Sequence, residues 1–93
     1  MSKTRAQQSA QADASEAYGA AGRLLARIQG AARTVAQDNI SGRVRPWVAV
    51  AATRHLRGLE SMLEEVVYES RPARTVEKRV AEVEAELSKL GVQ

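Results

Sequence analysis

Apolar side chains recur three and four residues apart in three stretches of the chain. The first stripe is Ala14, Ala17, Ala21, Leu24, Ile28, Ala31 and Val35. The second is Ala49, Ala52, Leu56, Leu59, Leu63 and Val66, and the third is Val76, Val80, Val83, Leu87 and Leu90. Positions with this spacing fall on one face of an α-helix. The pattern predicts three helices, over about 10–37, 46–69 and 76–90. No stretch alternates with period two over a useful length without also fitting a helix. The fold class is therefore all-α: a long helical hairpin followed by a shorter C-terminal helix. Residues 9–93 read as a single helical domain, preceded by a flexible tail over 1–8.

Turn-forming residues set the expected boundaries. Ser9 or Asp13 is a candidate N-cap for the first helix. Asp38, Asn39, Ser41 and Gly42 gather the residue types that favour turns, and Ile40 among them reads as a hydrophobic plug. Pro46 suits the first turn of the second helix, where its missing N–H has no intrahelical partner to lose. Ser70, Arg71 and Pro72 break the chain again, Thr75 is an expected N-cap, and Gly91 is an expected C-terminal stop.

The stripes differ in bulk, and this leads to a functional reading. The first is mostly alanine, with Gly19, Gly22 and Gly30 nearby, so it suggests helix backbones brought close together. The second is bulkier and reads as the centre of the core. The third follows a heptad pattern, but two heptads are too short for a free helix to be stable in water. With one Trp, two Tyr and no Phe in 93 residues, the core is thin. Assembly into an oligomeric bundle, or docking on another protein, would relieve that shortage. The expected interface residues are Ala14, Ala17, Ala21, Leu24, Ile28, Leu56, Leu59, Leu63, Val83 and Leu87. The leading expectation is a non-enzymatic protein–protein interaction or assembly module, an adaptor or inhibitor of a larger complex.

Charge adds an alternative. The formal net charge is +3, but residues 1–59 are basic and residues 60–93 acidic. Such end-to-end polarity can steer the packing of copies. Arg23, Arg27, Arg33, Arg43, Arg45, Arg54 and Arg57 lie on either side of the expected turn, and a hairpin would bring them toward one end. They form a candidate phosphate-binding patch for nucleic acid. Against it stands the shortage of aromatic side chains free to stack on bases, with Trp47 expected in the core.

Other chemistry is sparse. His55 is the single histidine and there is no Cys, so neither disulfides nor a soft metal site is expected. Glu60 and Glu64 share a helix face, but no Glu-x-x-His accompanies them, and they read as solvated charge. Gly19-x-x-Gly22 has no lysine after it, and the chain carries no phosphate-loop or dinucleotide motif. Neither cofactor nor metal is expected. No run of residues is apolar and long enough for a membrane helix, and the first stripe lacks bulky lipid anchors. No secretory signal is legible at the N-terminus, and a cytoplasmic location is expected.

Overall fold

The computed structural model describes residues 5–91. It contains α1 (Arg5–Ile40), α2 (Pro46–Tyr68) and α3 (Ala73–Lys89), with no strand among the described residues. The fold is all-α, as the periodicity requires. Of the tail expected over 1–8, residues 1–4 lie outside the described residues. Residues 5–8 belong to the first turns of α1, so that helix begins earlier than the apolar stripe indicates. Asp13 consequently lies within the helix, as does Ser9, and Asp13 does not cap it.

Each helix packs against both others. Glu16, Ala17 and Ala20 of α1 share a groove with Glu77, Val80, Ala81 and Glu84 of α3. Further along, Ala31 and Val35 share another with Leu90. α1 and α3 therefore run parallel, with α2 antiparallel between them in the chain. The three stripes meet in one core, built from Ala17, Ala21, Leu24 and Ile28, from Leu56, Leu59, Leu63 and Val66, and from Val76, Val80, Val83 and Leu87.

Unequal helix lengths shape the rod, which measures 60 × 20 × 16 Å. At a rise of about 1.5 Å per residue, α1 spans about 54 Å, whereas α3 spans only about 26 Å. The Tyr18 hydroxyl donates a 2.6 Å hydrogen bond to the Arg71 carbonyl and fixes α1 against the α2–α3 turn. Residues 5–13 continue α1 past this point. At the other end α3 stops first, and α1 and α2 project beyond it as a bare two-helix hairpin.

The helix ends show why the chain turns where it does. α1 closes in a Schellman arrangement: the Arg43 N–H reaches the Asp38 carbonyl at 2.8 Å and the Gly42 N–H reaches Asn39 at 3.2 Å. Gly42 takes the left-handed conformation this motif needs, with φ 77°. Pro46 occupies the start of α2, after Arg45 in extended backbone. Pro72 is the residue that enters α3, not Thr75: the Thr75 N–H already bonds the Pro72 carbonyl at 2.9 Å. Proline presets the φ a helix entry requires, so the helix starts two residues before Thr75. Gly91 follows α3 with φ 78°.

α2 ends in the same motif with a less suitable residue. Arg71 bonds the Val66 carbonyl and Ser70 the Val67 carbonyl, each at 3.1 Å, while Ser70 sits at φ 54°. The left-handed conformation crowds a Cβ against the backbone. Ser70→Gly should therefore raise stability by about 0.5–1 kcal/mol, after the larger entropy of the unfolded glycine chain is deducted. A higher urea midpoint with an unchanged m-value is the expected observation.

Glutamates at the end of α2 oppose its dipole. Glu69 is paired with Arg71 at 2.8 Å. Glu65 lies 3.9 Å from Arg79 of α3, which also approaches Glu82 at 3.5 Å and donates to the Met62 carbonyl at 3.5 Å. Arg79 thus links α3 to α2.

Candidate interaction surface

Nine of the ten expected interface residues are buried in the core of their own chain: Ala17, Ala21, Leu24, Ile28, Leu56, Leu59, Leu63, Val83 and Leu87. Ala14 is half-buried. These side chains face one another, so a partner meeting the folded chain meets different residues.

The alanine stripe brings α1 close to α2 and α3, but the glycines take no part. A Cβ placed on Gly22 or Gly30 would meet no atom within 4 Å, and one on Gly19 would meet only the Arg23 guanidinium at 3.4 Å. Within one chain these glycines permit no close approach. Gly22→Ala and Gly30→Ala should each raise stability by about 0.5–1 kcal/mol, because alanine restricts the unfolded backbone and favours the helix. Thermal unfolding monitored at the helix signal checks both.

Exposed large apolar side chains gather at the hairpin end, with Tyr68 at the far end of α2 exposed apart from them. Ile40 is 87% exposed, Trp47 67% and Val50 55%. Two expectations are corrected here: Trp47 is not in the core, and Ile40 plugs nothing. The cause is geometric. α3 stops at Leu90 and leaves this end with only two layers of helix. Trp47 also precedes the buried Ala49 by two residues, which rotates it about 200° away from the core stripe.

Trp47, Val50, Arg54 and Arg57 are themselves spaced three, four and three, and all four are exposed. They form a second stripe on the outward face of α2. The two arginines on that stripe were the available signal that Trp47 points outward. Val50, Arg54 and Arg57 line a groove of about 370 Å3 with Ala36, Asn39, Ala49 and Thr53. It lies where α1 and α2 meet, and no residue of α3 lines it.

All seven arginines of the expected phosphate patch are exposed. Only Arg43 has an acidic partner, Asp38 at 3.9 Å; the other six make no ion pair among the described residues. The hairpin does not gather them into one patch. Arg43 and Arg45 are in the turn, and Arg54 and Arg57 follow on α2. Arg27 lies about 20 Å back from the end of α1, a level that Arg57 approaches along α2, and Arg23 lies further still. Arg27 lines a different groove of about 550 Å3, with Ala31, Val35, Leu56 and Leu90, where the track of α3 ends.

The opposite charge gathers elsewhere. Glu16, Glu77 and Glu84 line the α1–α3 groove of about 320 Å3, whose floor is Ala17, Ala20, Val80 and Ala81. None of the three carboxylates forms an ion pair among the described residues. His55 lies 3.8 Å from Glu86 and joins α2 to α3 at the surface. Among the described residues, no group of three or more His, Cys, Asp or Glu could hold a metal ion. No described helix is long and apolar enough to cross a membrane.

Comparison with known protein families, curated proteins and solved structures finds no match to this chain.

Proposed function

We propose that the protein is a non-enzymatic, cytoplasmic helical interaction module, an adaptor, inhibitor or assembly element of a larger complex. Its contact surface is the free end of the α1–α2 hairpin together with the outward face of α2. The observation that carries this reading is the exposure of Trp47 beside Val50 and two unpaired arginines. Tryptophan and arginine dominate the energetic centres of protein interfaces, where a large flat side chain and a bidentate cation are desolvated together. Trp47 contributes little to the core, so selection for folding alone does not account for it.

The test compares the parent with Trp47→Ser in capture from extracts of the native host. The substitution removes an exposed side chain, and both proteins should melt alike. The parent is expected to retain a partner that the variant loses. Equal retention by both would overturn the assignment of the contact surface.

A second reading rests on the six arginines without acidic partners. With Trp47 exposed, one aromatic side chain stands ready to stack on a base. In this reading the protein contacts the phosphates of a nucleic acid without reading sequence. Binding to duplex DNA or RNA should then fall steeply with salt, and Arg54→Gln with Arg57→Gln should flatten that dependence. A parent with no salt-dependent binding eliminates this reading.

A further inference from the structure

The two unpaired charge clusters are complementary to each other, and a single chain holds them apart. The basic stripe occupies the outer face of α2 from the hairpin end inward and borders Ala36 and Asn39 of α1. The acidic groove lies between α1 and α3, running from Glu16 and Ala20 of α1 along Glu77 and Glu84 of α3. Within one chain the two clusters line different grooves, α1–α2 and α1–α3, and no ion pair joins them among the described residues. We infer that the occupant of the hairpin surface is a second copy of this chain: Trp47, Val50, Arg54 and Arg57 of one copy seat on the groove lined by Glu16, Glu77 and Glu84 of another. This rests on the reading of the outward face of α2 as the contact surface.

Charge selects the pairing. Two hairpin ends brought together would oppose Arg43, Arg45, Arg54 and Arg57 with their own copies, and two acidic grooves would likewise repel. Only the basic surface against the acidic groove is attractive. Both surfaces combine apolar area with charge. Trp47 and Val50 meet a floor of Ala17, Ala20, Val80 and Ala81, whose small side chains leave a shallow seat for an indole. The guanidinium groups then meet carboxylates at the rim, and arginine can engage a carboxylate through two parallel hydrogen bonds. The contact joins two different surfaces of the chain, so each copy presents both a donor and an acceptor.

The test uses two charge-reversed proteins, Arg54→Glu with Arg57→Glu, and Glu77→Arg with Glu84→Arg. All four positions are exposed, so the fold is retained, and helix content with melting temperature verifies this. Sedimentation or light scattering at low salt should show the parent rising above the 10.1 kDa of one chain as concentration increases, and falling back as salt is added. Each reversed protein alone should associate at least about tenfold more weakly than the parent. Mixing the two restores opposite charges across the contact, and mass should recover. Emission from Trp47, the single tryptophan, should shift to the blue in the parent and in the mixture but in neither reversed protein alone.

A parent that stays at one chain mass at low salt overturns the proposal. So does association in both reversed proteins equal to the parent's. Mass gained only on addition of a DNA duplex overturns it in favour of phosphate contact. If association is lost with Trp47→Ser yet unaffected by reversing Glu77 and Glu84, the hairpin surface stands as a contact but the acidic groove is not its seat. If Trp47→Ser associates as the parent does and retains the same partners, the contact surface itself is misassigned.

Discussion

Replacing Leu63 with alanine is expected to lower the unfolding free energy by about 2–5 kcal/mol, the largest effect of any substitution considered. Leu63 is 0% exposed and sits on the bulky stripe of α2, where all three helices meet. Its loss removes the transfer free energy of the buried side-chain carbons and leaves a cavity. The size of the cost depends on how far the neighbours collapse into that space. Here they have little capacity to do so. The α1 wall is built partly from Ala17 and Ala21, which have no rotamers to swing inward, and α3 presents Val76, Val80 and Val83, which are stiff at χ1. Domains of this kind carry about 5–15 kcal/mol in total, so one such substitution removes a large share. Urea unfolding of Leu63→Ala should show a much lower midpoint, and a loss below about 1 kcal/mol would mean that this core is not packed as described.

Much of this architecture was legible in the sequence because every buried side chain lies on one of the three periodic stripes. The phase of a helix carries that information: once Leu56, Leu59 and Leu63 define a face, Val66 and Ala49 follow. Stripe members that escape full burial are Ala14, Ala31, Val35, Ala52 and Leu90. They occur where one helix outruns another, and relative helix length is a tertiary property that periodicity does not encode. Trp47 and Ile40 show a different failure. Their hydrophobicity suggested burial, yet Trp47 shares its face with Arg54 and Arg57, and phase was the better guide. The expected interface residues lie in the core of one chain for a related reason. A stripe says that a face will be covered, not whether the same chain or another covers it. Charge was legible only as a sum over long segments. The separation of Arg54 and Arg57 from Glu16, Glu77 and Glu84 onto different grooves needs the parallel register of α1 and α3. The early start of α1 escaped because residues 5–12 carry no bulky apolar side chain.

Ala21→Leu supplies the sharpest check on the role of the alanine stripe. Ala21 is 0% exposed, one step of the helix away from Gly22, which is open to solvent. Three added carbons have no free volume to enter at residue 21, so α1 must shift outward or its neighbours must leave their preferred rotamers. Overpacking of this kind costs about 1–3 kcal/mol. The adjacent substitution, Gly22→Ala, adds one carbon into open space and should stabilise. A reversal of sign between neighbouring residues is what a helix with one closely packed face and one bare face produces, and neither composition nor propensity predicts it. The concentration dependence of the Ala21→Leu loss then tells which chain covers the alanine. If the partner helices belong to the same molecule, the drop in melting temperature relative to the parent should be the same at low and high protein concentration. A drop that vanishes on dilution would place the alanine stripe between chains and overturn the intramolecular packing of α1.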